Sequence, residues 1–507
     1  MLSHRRKTGR NARWARTRPT APMRAYESSE QSSVRPHLAA VEQTTTLHPL
    51  TDRDQNQQLH DYEQSVKSVF DAIVPALKRI AAIQQKDGFE PMAQAIVRQA
   101  LGLDLPKELL AEARDGRFDM RTLFAWAIFE VYQRFSDEFF TSNNLIDDKD
   151  FQSFLIDCGF HTLDVSPCAD GRLAHVISYV LRLPYREVRR KSYAGAMFDI
   201  ENSVEKWTET EFLRFREGRP NMADEPTRYL KTVVYHFSSS DPQHQGCAAH
   251  GSDTNKAAQA GLDRLHAFQQ AVENTFCCGA SIDLLLIGLD TDTDTIRVHV
   301  SADDGSIDLR NYLDSSYVYA ETMNMTVAQA ASVLETRVRE HSEGATEGMV
   351  KLVCRLISNN ISQVDYVNEF FERRYADIGH AERFIGAGIG FEEIQLRNLT
   401  YFAYMNTVEE ATADLDVGVK IFTGLNVTQG LPIPIVIRFD YHGHVPGARD
   451  RAEANCRRVA EALRARYAKL AQDGLLHTLL AVRDCAAGET IEVLESSVFP
   501  KSIAGAH

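Results

Sequence analysis

Three kinds of hydrophobic pattern divide this chain. The first begins at Leu59: Leu59, Tyr62, Val66, Val69, Ile73, Leu77 and Ile80 recur at steps of three and four and mark one helix face, with a kink expected at Pro75. Helices are predicted again over Pro91–Leu101 and Met120–Phe140. The latter carries Phe124, Trp126, Phe129, Tyr132, Phe135, Phe139 and Phe140, and aromatic residues at helical spacing belong to a core. Residues 51–145 read as an all-helical domain without chemistry of its own.

The second pattern is short, β-branched and bounded by turns. A strand is predicted from Phe160 to Val165, turning at Ser166-Pro167 to present Cys168, Asp170 and Arg172, then a helix from Arg172 to Leu183, stopped by Pro184. Thr227–Tyr235 reads as a buried strand delivering His236 at its end, and the polar loop Phe237–Gly246 leads to Cys247. A helix over 253–277 capped by Gly279, a strand over 282–289, a turn over Asp290–Asp294 and a strand from Thr295 complete the unit. The same order recurs with a strand over Ile433–Phe439, a helix over 449–472 capped by Gly474, a strand over 475–483 and a strand from Thr490. Two related α/β halves follow from this repetition. Between them lie predicted helices over 324–342 and 347–375, then Gly379–Gly390, a glycine-rich break that marks the boundary. Counted from His442, the position matching Cys247 is Glu453, and no Cys-x-Asp-x-Arg occurs in the second half.

The third pattern is an absence of periodicity over residues 1–50. Arg5, Arg6, Lys7, Arg10, Arg13, Arg16, Arg18 and Arg24 all precede the first acid, Glu27. Such a segment buries too little to offset its ordering entropy and reads as a disordered basic arm suited to an anionic partner. The whole chain carries −14 over 507 residues, which speaks against nucleic-acid binding by its bulk. No apolar run approaches the ~18 residues of a membrane span, and no signal peptide is visible. The eight cysteines are scattered as reduced thiols rather than as a disulfide framework.

Chemistry concentrates in the first half. A thiol, a carboxylate and a guanidinium within Cys168–Arg172 point to a metal held by the thiolate, with the Asp170–Arg172 pair managing protons beside it. Cys168, His236 and Cys247 supply two thiolates and one imidazole, a zinc-type set; buried structural cysteines are the competing reading. His244 and His250 compete with His236, which is preferred because a strand end is a rigid platform. His175 is a surface or core histidine before it is a proton relay, and Cys277-Cys278 are buried thiols before they are a redox pair. Cys168 and Arg172 stand too close for a cysteine-phosphatase loop. The acids of 290–294 lack the glycine and glutamate of a calcium loop.

Cys168-Ala-Asp-Gly-Arg172 after a strand resembles the Cys-x-Asp-x-Arg signature of β-class carbonic anhydrases, and a later strand ending in His and then Cys is that class's second metal motif. The long separation from His236 to Cys247, with the basic arm, helical domain and metal-free duplicate half, resembles the carboxysome shell carbonic anhydrase family, a divergent β-class branch. The resemblance implies an α+β or α/β fold. Its parts are a disordered arm (1–50), a helical domain (51–145), a β-carbonic-anhydrase-like α/β catalytic zinc domain (146–390) and a related metal-free α/β domain (391–507). It implies one Zn2+ per chain on Cys168, His236 and Cys247. Asp170 would accept a hydrogen bond or a proton from the reacting water, and Arg172 would keep Asp170 ionised and off the metal. CO2 and bicarbonate would be the substrates, Rubisco or a shell protein the arm's partner, a carboxysome the location and a homodimer the smallest assembly. The alternative is a non-catalytic carboxysome scaffold with a structural zinc; CO2 hydration separates the two.

Overall fold

The computed structural model describes residues 47–498 apart from 115–118, 142–149, 185–186, 217–227, 277–280, 303–304, 392, 394, 406–411 and 489. The basic arm, save 47–50, and Cys277-Cys278 lie outside the described residues. The first helix, Arg53–Ile83, opens where the Asp52 side chain accepts from the Gln55 N–H, satisfying a donor the helix itself leaves unpaired. It continues through Pro75 as one element, and Leu59, Val66, Ile73, Leu77 and Ile80 are buried as their spacing predicts. Helices Phe89–Leu101 and Met120–Thr141 pack against it. Met120–Thr141 is buried without a break from Leu123 to Phe129, because it is also covered by strands of the second sheet.

The first sheet comprises β1 (Thr162–Pro167), β2 (Arg189–Arg190), β3 (Arg228–Phe237), β4 (Ser281–Asp290), β5 (Ile296–Val300) and β6 (Leu313–Asp314), in the order β2-β1-β3-β4-β5-β6. The first four strands in that order run parallel, and β5 and β6 add antiparallel. Continuous apolar runs in β3 and β4 match a parallel sheet covered by helices; Thr254–Phe276 packs on both strands.

The second sheet comprises β7 (Phe384–Ile389), β8 (Thr400–Tyr404), β9 (Ile433–Tyr441), β10 (Leu476–Asp484) and β11 (Glu492–Ser496), in the order β11-β10-β9-β7-β8. Strands β8, β7, β9 and β10 run parallel, and β11 is antiparallel to β10. Its strands β8-β7-β9-β10-β11 thus repeat β2-β1-β3-β4-β5 in order and direction.

One local expectation is extended and two are corrected. The glycine-rich stretch 379–390 holds β7 as well as a boundary: at Gly388, φ is +120°, and any Cβ would overlap the Arg438 carbonyl of β9, so glycine permits the close strand approach. Ser166 and Pro167 do not turn; they pair with Val233 and Val234 as the last residues of β1. The helix expected over 172–183 is instead a 3-10 turn, Gly171–Leu173, and a π turn, Val176–Val180. The Asp170 side chain accepts from the Arg172 N–H and tightens the start, while Asn360 and Asn359 donate to the Val180 and Leu181 carbonyls and draw them out of a regular ladder. Helix Ile200–Arg216 lies in a stretch for which no helix is predicted above. No described helix is long and apolar enough to cross a membrane.

Candidate metal centre

Parallel strands carry their C-terminal ends to one edge of a sheet, where α/β proteins place their sites. Here β1 and β3 are neighbours, and the Cys168 N–H donates to the Val234 carbonyl at 3.2 Å, setting Cys168 beside the end of β3. His236 is the penultimate residue of β3. The polar loop after β3 is tied to the turn between β4 and β5: Ser238 Oγ and the Ser240 N–H donate to Asp292 at 2.9 and 2.7 Å, and the Ser239 N–H donates to Asp290 at 3.1 Å. The acidic turn therefore anchors the long insertion that returns Cys247 to the edge.

Cys168, His236 and Cys247 converge there, all buried, with one ligand-type atom from each within 4.8 Å of the others. The two sulfurs are 4.0 Å apart. Both ring nitrogens of the fully buried His236 lack a hydrogen-bond partner among the described residues. A buried imidazole with nothing bonded to it costs free energy unless some other group satisfies it. Two soft thiol sulfurs and an imidazole at this separation fit a tetrahedral zinc ion with one position to spare. The thiols are coupled: the Cys168–Cys247 hydrogen bond pulls Cys247 below the ordinary thiol range and, with burial, pushes Cys168 well above it. His244 is not part of this group; it is exposed and bonded to Asp241 at 2.8 Å. His250 Nε2 lies 3.2 Å from the Gly195 carbonyl. His175 is buried against Asp294 at 2.7 Å, where Tyr375 also donates, and belongs to the core.

Asp170 faces the three residues, its Oδ2 3.6 Å from His236 Nε2. Arg172 holds it by two contacts, Nε to Oδ1 at 3.0 Å and Nη2 to Oδ2 at 2.7 Å, and spends Nη1 on the Gln245 and Ile378 carbonyls. Burial works to raise the Asp170 carboxyl, but Arg172, then His380 and His236, hold it well below the usual range. Arg172 thus orients the carboxylate, keeps it charged and pins the loop that carries Cys247.

Two functional candidates escaped the sequence reading. His380 Nε2 lies 3.8 Å from Asp170 Oδ2, and its Nδ1 is 2.9 Å from Glu382 Oε1. Burial lowers its pKa, but Asp170 and Glu382 outweigh that and lift it to about 9. Glu382 also accepts from the Gly171 N–H at 3.0 Å, and a Cβ at Gly171 would overlap Glu382, which is why the motif carries glycine there. Asp170, His380 and Glu382 form a second cluster of metal-ligand type. The available signal was their place in the glycine-rich stretch, which reads as a linker.

A cavity of about 20 Å³, room for one water-sized molecule, opens beside Cys168, Asp170, Cys247 and His380. Its far wall is Tyr401, Val417 and Ile421. The second half therefore completes the site. It also positions the near wall: Asp414 accepts from the Ala194 N–H at 2.9 Å, and Ala194 and Gly195 line the cavity.

Comparison with known proteins identifies the family. Residues 48–140, 150–380 and 381–498 match the models for the N-terminal, catalytic and C-terminal domains of carboxysome shell carbonic anhydrase. Proteins of that name from Prochlorococcus marinus and Parasynechococcus marenigrum are each 55% identical to this chain, covering 95% and 90% of it and 96% and 80% of their own lengths. One from Halothiobacillus neapolitanus is 42% identical over 96% of this chain and 100% of its own. With identity at this level along almost the whole chain, and the cysteine, histidine and carboxylate set gathered at one sheet edge, the chain belongs to the carboxysome shell carbonic anhydrase family.

Proposed function

We propose that this chain catalyses the zinc-dependent reversible hydration of CO2 to bicarbonate inside a carboxysome, supplying CO2 to Rubisco, with Cys168, His236 and Cys247 holding one Zn2+ per chain. The observation that carries the reading is His236, a fully buried imidazole with both nitrogens unbonded among the described residues, beside two thiol sulfurs. When bound, zinc is a Lewis acid that lowers the pKa of water toward ~7 and makes a nucleophile available near neutrality.

The chain's own residues do the rest. Asp170, kept ionised by Arg172, accepts a hydrogen bond and then a proton from the reacting water. His380, on the other side of that carboxylate and braced by Glu382, passes the proton outward. Val417 and Ile421 give the cavity an apolar wall, and Ala194 and Gly195 also line it. A structural zinc in a non-catalytic scaffold would have no use for an ionised carboxylate aimed at the metal ligands. The arm of residues 1–50 is assigned to Rubisco or shell-protein binding, and a homodimer is the smallest assembly expected.

The test is to strip metal from the protein with a chelator, restore zinc, and follow CO2 hydration by stopped flow with a pH indicator. Activity should vanish and return with zinc. Undiminished activity in metal-free protein would defeat the proposal, and full zinc with no activity would favour the scaffold.

A further inference from the structure

A second cavity, of about 480 Å³, lies between the two sheets, walled by Arg189, Arg190 and Lys191 on one side and by Gly386, Gly388 and Tyr404 on the other. None of Cys168, Asp170, His236 and Cys247 lines it. Two acids, Glu187 and Glu393, line it. Glu393 is paired with Arg438 at 3.0 Å, and Asp164 is paired with the lining Arg189 at 2.8 Å and with Lys231 at 2.9 Å. Two donors in its wall, Arg190 Nη2 and Ser192 Oγ, are buried and have no hydrogen-bond partner among the described residues. Arg189, Arg190, Lys191 and Lys206 outnumber the lining acids Glu187 and Glu393, so the cavity favours negative charge.

Lys191 reaches into this setting half-buried. Its Nζ bonds to Asn202 Oδ1 and lies 4.3 Å over the Tyr404 ring, and no carboxylate pairs with it among the described residues. Burial first, then the Arg189, Lys231 and Lys206 charges, bring its ammonium down to about 7, against the pull of Asp164. A solvated lysine titrates near ~10.4, so near pH 7 Lys191 offers on the order of 10³ times more neutral amine.

We propose that Lys191 is a carbamylation site whose amine captures CO2. The nitrogen lone pair forms the N–C bond, one C=O π pair moves onto oxygen, and the proton leaves to water or buffer: Lys–NH2 + CO2 → Lys–NH–COO− + H+. No oxidant or reductant is needed, and dissolved CO2 suffices, so the reaction does not depend on the metal centre. The product puts an anion where a cation was crowded by Arg189, Lys206 and Lys231, in a cavity that the unpaired Arg190 donor also lines. The remaining N–H can still donate to Asn202, while the lost cation–π contact with Tyr404 and the charge of Asp164 oppose the change. The cavity between the sheets thereby acquires a charge that depends on CO2.

The test equilibrates the full-length protein with 13C-labelled CO2 at neutral pH, traps carbamates by ethylation with triethyloxonium, and maps the adducts by peptide mass spectrometry. Labelling at Lys191 should exceed that at exposed Lys256 by at least ~10-fold, fall as pH drops and the amine protonates, and disappear in Lys191→Arg. Arg190→Gln should lower the occupancy without moving the label elsewhere. Lys191 labelled no more than Lys256, or labelling indifferent to pH, would overturn the proposal.

Discussion

Asp414→Asn should make the protein more stable at neutral pH, and the gain should vanish in acid. Asp414 is buried and accepts one hydrogen bond, from the Ala194 N–H, which does not offset burial; its carboxyl is raised from 3.8 to about 6. A carboxyl raised in the folded state binds its proton more tightly there than in the unfolded chain. Stability therefore falls as pH rises from the unfolded value near 3.8 to the folded value near 6, and the full penalty persists above that. The shift of about two units corresponds to ~3 kcal/mol as an upper bound. Asparagine keeps an acceptor for Ala194 and carries no charge, but its buried amide recovers only part of the penalty, so ~1–2 kcal/mol is expected at neutrality. At ~2 °C per kcal/mol for a large domain, Tm should rise by ~2–4 °C. Thermal unfolding of both proteins across the acid-to-neutral range is the assay, since every other titrating group cancels in the difference. A Tm difference that does not grow between about pH 4 and 7 would refute the reasoning.

Three further outcomes follow. Asp170→Asn should retain zinc, because the three proposed ligands are untouched, yet lose ~10²–10⁴-fold in CO2 hydration, measured by stopped flow; undiminished activity would make the Asp170–Arg172 pair structural. Truncation after Gly390 should give insoluble, inactive protein on expression, since it removes β8–β11, strips the cover from the Met120–Thr141 helix and takes away Tyr401, Val417 and Ile421; a soluble, active product would contradict this. Deleting residues 1–50 should leave hydration unchanged and abolish a salt-sensitive interaction with Rubisco in a binding assay. Unchanged binding would place the docking surface on the folded part.

Much of the architecture was legible because burial writes periodicity. The face from Leu59 to Ile80, the apolar runs of β3 and β4, and the repeated strand–helix–strand order around Gly279 and Gly474 each follow from what a helix or covered sheet must hide. Cys168, Asp170 and Arg172 were visible because an unusual trio was compressed into five residues. Features that depend on tertiary partners were not legible. Strand β7 reads as a linker because Gly388 answers to the Arg438 backbone, far off in sequence. The turns after Arg172 look helical until Asn359 and Asn360 of a distant helix take up their carbonyls. His380, Glu382 and Tyr401 carry no local signature; their significance arises only when the two sheets come together.

The most direct test of the central claim is metal content. Purified wild-type protein should contain one zinc per chain; Cys168→Ala, His236→Ala and Cys247→Ala should each lose it together with CO2 hydration, while His244→Ala should keep both. A folded Cys247→Ala protein with full zinc and full activity would contradict the account.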